Sequence, residues 1–388
     1  MNTARPKVII LQHRLLHYRI RLFEYLKQLL ERSDIDLELV HGQASNLDRL
    51  RKDEGVLGWT TKVNNNFFSI AGRELIWQPI NDLSRDADLV IVMQENRMLS
   101  NYPLLIKRRF GGPKVAYWGH GKNYQSTAPG GLREKWKSLM LNQVDWWFAY
   151  TDMTTEHVSA HGYPVSQITT LNNAIDVSGF QSELASITEE EQSEARLALG
   201  LAATDRIGLF CGSLYPEKRV DLLLGGIDLI RSRIPDFHML VIGDGPSAGE
   251  VRQAAESRPW LHCLGVKKGR DKAVLFKLAH VQLNPGLVGL HVLDAFSAGL
   301  PMVTTATALH SPEIAYLEHG VNGVVSESDD IAGYAEPIIE LLLDKTRWQA
   351  MSQQCLADAS RYTVENMAEN FSSGILRCLE YYGIRNKQ

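Results

Sequence analysis

Gly212 and Ser213 close the apolar run RIGLFCGS, and Lys218 follows six residues after the glycine in YPEKR. A glycine at the carboxyl end of a strand lets a ligand approach backbone N–H groups. One ammonium a loop's reach away adds positive charge, and the two together make a cradle for a diphosphate. The same residues also suit a strand–helix turn with a solvated lysine. A second segment, NPGLVGLHVLDAFSAGLP (284–301), sets Gly286 and Gly289 just before a helix expected to begin near Leu290. The first-turn amides of that helix would be unpaired and would lie in the field of its N-terminus. Asp294, one turn in and on the face of Leu290, offers a carboxylate that can accept two hydrogen bonds from a ribose diol. In the third segment, HMLVIGDGPSAGEVRQ (238–253), Gly243 and Gly245 fit the first two positions of a G-x-G-x-x-G turn. Its third position falls on Ala248, and no acidic residue ends a second strand about 20 positions on, so this segment is a tight turn and not a dinucleotide site.

Other candidates carry less chemistry. Two D-x-D patterns, Asp34 with Asp36 and Asp86 with Asp88, precede the strands they adjoin, whereas a metal-binding pair would sit at a strand's carboxyl end. They are strand-entry carboxylates, and no metal or other cofactor is expected. Cys211, Cys263, Cys355 and Cys378 are scattered without a CxxC pair or a histidine at zinc spacing, which suits four reduced thiols. His13, His17, His280 and His310 read as packed or surface histidines, Glu313 as a helix cap, and the Trp146–Trp147 pair as packing.

The elements that must position these groups alternate strand and helix. KVIILQ (7–12), IDLELVHG (35–42), DADLVIVMQ (86–94), PKVAYWGHG (113–121) and DWWFAYT (145–151) are strand-like, with helical stretches such as RIRLFEYLKQLLERS and LREKWKSLMLNQV between them. After the acidic stretch SELASITEEEQSEARLALG (182–200) the alternation restarts at 206. This predicts an α/β fold of two Rossmann-like, doubly wound parallel-sheet domains facing across a cleft, with ligands outside the carboxyl ends of the strands. The expected divisions are an N-terminal domain over 1–175, a linker over 176–204, a C-terminal domain over 205–360, and a terminal helix over 361–388 that crosses back to the first domain.

With 388 residues, 44% hydrophobic and 22% charged, the composition excludes a disordered, collagen-like or coiled-coil chain. No apolar run approaches the roughly 18–20 residues that span a bilayer, and the four-residue apolar stretch near the N-terminus is too short for a signal peptide. The expected location is therefore cytoplasmic. The net charge of -4 hides an asymmetry, with 22 Lys and Arg against 17 Asp and Glu in residues 1–175, and 19 against 28 in residues 176–388. The basic residues of the first part concentrate in 13–32 and in IKRRF (106–110), interleaved with Leu, Phe and Tyr. Either an anionic membrane surface or an anionic substrate would suit them, and so would a solvated helix face. Nucleic acid is not expected, because the whole chain is acidic and has no basic–aromatic repeat.

Residues 205–326 resemble the donor-binding domain of the retaining glycosyltransferases of GT-B fold, in particular glycosyltransferase family 4 (glycosyl transferases group 1). The landmarks GSLYPEK, VIGDGP, LGV, NPGLVGLHVLDAFSAGLPMV and SPEIAYLEHGVNGVV occur in the family's order and spacing. HYRIRLFEYL, SNYPLL, VAYWGHG and TLNNAID resemble a subgroup associated with bacterial surface-polysaccharide synthesis. The resemblance implies a nucleotide-diphospho-sugar donor, UDP favoured, held by the C-terminal domain together with a saccharide or lipid-linked saccharide acceptor on the N-terminal side. It implies that Lys218 neutralises the diphosphate, that Asp294 holds the ribose, and that Gly289 and Leu290 offer backbone amides. Val266 would lie beside the base, His120 would sit near the anomeric carbon, and Tyr18 and Arg19 would be on the acceptor side. Two positions depart from the family. The first glutamate of its E-x7-E motif is Gly286, where His291 is a candidate replacement for the lost contact. The phosphate-binding arginine is Ser213, for which Arg219 is a candidate substitute. A non-catalytic binding protein and a nucleotide-sugar epimerase are the alternative readings.

Overall fold

The structure is a computed structural model that describes residues 5–46, 48–51, 53–70, 72–122 and 132–384. The chain forms two compact units. One comprises the residues up to Asp176 together with those from Val364 onward, and the other runs from Val177 to Thr363.

The first unit is built on a parallel sheet of β1 (Lys7–Gln12), β2 (Asp36–His41), β3 (Thr61–Lys62), β6 (Leu89–Met93), β7 (Lys114–Gly119), β8 (Trp146–Ala149) and β9 (Ile168–Thr170). Their order is β3-β2-β1-β6-β7-β8-β9. Runs such as VIIL, LVIV and WWFA are buried almost throughout, because helices cover both faces of the sheet and leave no strand face for polar residues. A separate antiparallel hairpin joins β4 (Asn66–Ile70) and β5 (Arg73–Trp77). Helix α1 (Ile20–Arg32) buries Leu22, Phe23, Leu26 and Leu30 at helical spacing. The terminal helix Val364–Tyr381 packs on α1, β8 and β9. Gly374 lets that helix come close, since a Cβ there would lie 2.7 Å from Cε1 of Phe148.

The second unit has a six-stranded parallel sheet of β10 (Arg206–Cys211), β11 (Phe237–Ile242), β12 (Leu261–Gly265), β13 (Val281–Leu283), β14 (Met302–Thr305) and β15 (Gly323–Ser326). The order β12-β11-β10-β13-β14-β15 is that of a doubly wound dinucleotide-type sheet. Both sheets therefore have the expected α/β class. In each, the chain leaves a central strand in opposite directions, at β1 between β2 and β6 and at β10 between β11 and β13. Ligands of such sheets bind where that reversal opens a crevice at the carboxyl ends.

The stretch 176–204, read from its acidic run as a linker, is structured within the second unit. Helices Ser178–Ser186 and Glu189–Ala198 pack on the helix Gly269–Leu278. Arg270 donates to Glu183 at 2.9 Å and to both carboxylate oxygens of Glu191 at 2.6 and 2.7 Å, and Phe180 sets its ring edge-on to Phe276. The acidic run is one half of an ion-pair network whose other half lies some 80 residues later in the chain.

Candidate functional site

Lys218 lies at the reversal point of the second sheet, in the loop after β10. It is only 3% exposed, and its ammonium donates to Asn284 Oδ1 at 3.3 Å and to the carbonyl of Leu287, both in the loop after β13. The two loops touch along their backbones, the amide of Leu287 donating to the carbonyl of Glu217 at 2.9 Å. Gly286 makes that approach possible, because a Cβ there would fall 2.6 Å from Cα of Lys218 and closer still to the carbonyl oxygen of Glu217. Burial pulls the Lys218 ammonium down from its ordinary 10.5 to about 8. A cation so placed, with neutral amide and carbonyl partners, is poised for an anion.

The loop Gly212–Leu214 is braced by its neighbour after β11. The amide of Gly212 donates to Ile242 O at 3.0 Å, and that of Leu214 donates to Asp244 O at 2.9 Å. Gly243 and Gly245, at φ of 145° and 152°, abut the carbonyls of Gly212 and Leu214, where a side chain would collide. No side chain would obstruct Gly212, around which an added Cβ meets nothing within 4 Å, and Ser213 is exposed. Val266 follows directly on β12 and is 61% exposed.

The helix expected near Leu290 starts later and is short, spanning Val292–Ser297. The amides of Val292 and Leu293 are taken by the carbonyls of Gly289 and Leu290 at 3.1 and 3.0 Å. Those two amides are therefore not open to a ligand. Asp294 lies in the helix's first turn, but its Oδ2 accepts from Lys272 Nζ at 2.8 Å. Lys272 comes from the helix Gly269–Leu278, and its ammonium also lies over the rings of Phe180 and Phe276 at 4.5 and 5.3 Å. His291 buries Nε2 without a hydrogen-bond partner, and burial together with Lys218 and Lys272 keeps its imidazole neutral. His310 accepts from the amide of Val288 at 3.0 Å through Nδ1 and meets the carbonyl of Thr305 at 2.6 Å through Nε2. That pair of partners fixes the neutral, Nε2-protonated form and steadies the loop from behind.

Arg219, the candidate substitute for the arginine replaced by Ser213, is engaged elsewhere in this structure. Its guanidinium pairs with Asp329 and reaches Thr307 at 3.3 Å, and Thr307 donates to the same carboxylate. Its backbone is left-handed, at φ 55°, which turns the side chain toward that pair. The sequence thus brings Gly212, Lys218, Gly286 and Asp294 to one edge of the sheet. It held no sign of Lys272, one of several charges in KKGRDK, or of Asn284 as the partner of Lys218.

In the first unit, His120 follows β7 and sets its ring edge-on to Tyr150 with centroids 4.2 Å apart. Gln94 clamps the next residue, accepting from the amide of Gly121 and donating to its carbonyl, both at 3.0 Å. Tyr18 is half-buried. Arg19, placed with Tyr18 on the acceptor side, is buried, donating to Asn173 at 2.7 Å and lying over Tyr18, Trp118 and Tyr150. Its planar guanidinium stacks where a lysine could not, which makes it a packing residue of the unit.

Residues 205–344 match the family model described as glycosyl transferases group 1. The chain is similar to the D-inositol 3-phosphate glycosyltransferase of Mycobacterium tuberculosis, at 24% identity over 272 residues, covering 66% of this chain and 54% of the relative. It therefore spans about half the length of the curated relatives it matches. Among solved structures it is similar to Anabaena Alr3699/HepE in complex with UDP, at a TM-score of 0.64 and 14% identity over 96% of this chain and 99% of that one. It is also similar to a glycosyltransferase from Rickettsia africae, at a TM-score of 0.68 and 12% identity over 99% and 100%. At such identities the likeness concerns the fold, which is GT-B.

Proposed function

We propose that the chain, whose residues 205–344 match the glycosyl transferases group 1 model, moves a sugar from a nucleotide-diphospho-sugar to a saccharide or lipid-linked saccharide acceptor, with retention of anomeric configuration. The observation that carries this reading is the buried Lys218 ammonium, held by neutral partners at the reversal point of the second sheet. A diphosphate leaving group gathers negative charge as the glycosidic bond breaks, and a preorganised cation in a water-poor site stabilises that charge most. The ribose diol would meet Oδ1 of Asp294 while Lys272 keeps Oδ2. Lys272 also offsets the repulsion between that carboxylate and the diphosphate. UDP is the favoured nucleotide, and the likeness to HepE, a protein whose crystal structure is a complex with UDP, supports it. The reaction as proposed uses no metal, and a role in surface-polysaccharide synthesis fits the resemblance of the first half.

The test is incubation of the purified protein with UDP-glucose and other UDP- and GDP-sugars, followed by proton NMR of the anomeric signals. Nucleotide release, with a first-formed sugar of the donor's own configuration, is the expected result. Inversion would overturn retention, and an isomerised donor with no nucleotide released would make the protein an epimerase.

The proposed location is cytoplasmic, at the inner face of a membrane. The basic helix α1 supports this poorly, because Lys27 pairs with Glu31. A better surface is Ile106, Phe110, Trp136 and Leu139, all exposed, beside Lys107 and Arg109. Trp136 donates to Tyr102 at 3.2 Å, which joins the two helices that carry the patch. Co-sedimentation with anionic vesicles at low salt is expected, and Phe110→Ser should reduce it. Equal sedimentation of the variant would remove this patch from consideration.

A further inference from the structure

The carboxyl ends of β1, β2 and β3, beside the reversal point of the first sheet, surround a cavity of about 230 Å³. Ligands of parallel sheets bind at this end of the strands. The lining residues Glu54, Val56, Lys62 and Asn64 are all exposed, so the cavity is reached from solvent. Leu15 and Val63 make the rest of its wall aliphatic. Two polar side chains of the lining are already engaged. His41 is 3% exposed, with Nδ1 donating to the carbonyl of Gly42 and Nε2 against the Thr60 hydroxyl, both at 3.0 Å. Gln43 uses both ends of its amide on the backbone of Asn65, at 2.8 and 2.9 Å. Three groups are left for a ligand. One oxygen of Glu54 accepts from the amide of Ala44 at 2.9 Å, which fixes the carboxylate and leaves its second oxygen open. The side chains of Lys62 and Asn64 make no hydrogen bond or ion pair among the described residues. Both charges stand close to His41. Burial holds that imidazole below its ordinary range, with Lys62 lowering it further and Glu54 raising it.

We propose that this cavity binds one uncharged sugar ring of the acceptor. Its hydroxyls accept from Lys62 and Asn64 and donate to Glu54, while a C–H face of the ring lies on the aliphatic wall. The proposal rests on the glycosyl-transfer reading and adds to it where the acceptor is held and what charge it carries. An apolar wall with a few convergent polar groups is the make-up of a small-molecule site. The volume is below the roughly 300–1,000 Å³ of pockets for drug-sized ligands, which suits a single ring. The free charges of the lining are one ammonium and one carboxylate, and they cancel. A sugar phosphate that met Lys62 would also meet Glu54, with no second free cation in the lining to offset the repulsion. A polyol satisfies the donors and the acceptor at once.

The test titrates the full chain, with UDP present, against glucose, galactose, mannose, N-acetylglucosamine and the 6-phosphates of each, observed by saturation-transfer NMR. At least one neutral sugar should bind, with a Kd on the order of millimolar, and its 6-phosphate should bind no more tightly. Glu54→Gln keeps an acceptor for the amide of Ala44 and loses the charge, and Lys62→Met keeps the stem and loses the ammonium. Both positions are exposed, so both variants should melt with the parent. At least one of them should weaken the sugar about fivefold or more. UDP affinity, read by calorimetry, should be unchanged in both, which separates this cavity from any sugar held beside the nucleotide. Three results would overturn the proposal: no neutral sugar bound, unchanged sugar affinity in both variants, or a 6-phosphate bound more tightly than its parent. If the parent protein does not bind UDP, the glycosyl-transfer reading fails, while the sugar titration, repeated without nucleotide, still decides whether the cavity holds a sugar.

Discussion

Lys218→Met is expected to slow donor turnover roughly 10²–10³-fold, the loss found when one preorganised donor to a developing anion is removed. The same substitution should leave the protein melting at least as high as the parent. Methionine keeps the length and apolar volume of the lysine stem but no charge, so packing in the loop between β10 and β13 survives. A lysine that titrates near 8 rather than 10.5 is held charged at neutral pH at a cost of about 3 kcal/mol to the fold. The unfolded chain binds the proton more readily, so that cost is fully present below pH 8 and disappears as the pH rises through 10.5. Any stability gained by the methionine variant should shrink over the same interval. Ligand affinity runs the other way. The free protein loses the ammonium above about pH 8, so UDP should bind progressively less tightly from there upward, and the methionine variant should show no such dependence. Calorimetric titration with UDP from pH 6.5 to 9.5 reads both effects. A variant that bound UDP as the parent does would remove Lys218 from the site. Arg219→Ala supplies the contrast, with UDP affinity changed less than about twofold, because that guanidinium is already engaged by Asp329 and Thr307.

What could be seen in the sequence follows from what each signal depends on. Parallel strands buried on both faces must be apolar throughout, so KVIILQ, LVIVM and WWFA announced themselves, and with them the sheets. The hairpin Asn66–Trp77 left no such signal, because nearly all of β4 is exposed and no apolar alternation is required of it. Lys218, Gly286 and Asp294 stood out because a loop after a strand needs those residue types at that spacing. Their partners are set by tertiary approach alone. Nothing local ties Lys272 to a carboxylate 22 positions later, or Arg219 to one 110 positions later. The burial of Arg19 is hidden for the same reason, since Asn173 and the three rings around it come from distant parts of the chain or are set by the fold. His13 looked like a packed histidine and is one, and its tautomer is set by its chain neighbour Arg14 together with Arg97 from the loop after β6.

Restoring the family's glutamate by Gly286→Glu is expected to damage the site rather than repair it. The position looks like a missing sugar contact when read along the chain, yet in three dimensions it is the point where the backbone after β13 passes that of Glu217 and Lys218. Any Cβ would lie 2.6 Å from both Cα and the carbonyl carbon of Lys218, and those are backbone atoms, which cannot rotate away. Overpacking of this kind costs roughly 1–3 kcal/mol, and at 2–4 °C for each kcal/mol in a unit of this size the melting temperature should fall by roughly 2–12 °C. Gly286→Ala should show most of that loss, because the clash begins at Cβ and not at the carboxylate. UDP affinity should drop at least tenfold in both, since the loop that must yield carries the ammonium and the hydrogen bond from Leu287 to Glu217 that sets its position. A glutamate variant that melted with the parent and turned donor over faster would mean that the two loops do not meet at Gly286. Short of that, the glycine is the point at which close backbone approach fixes Lys218.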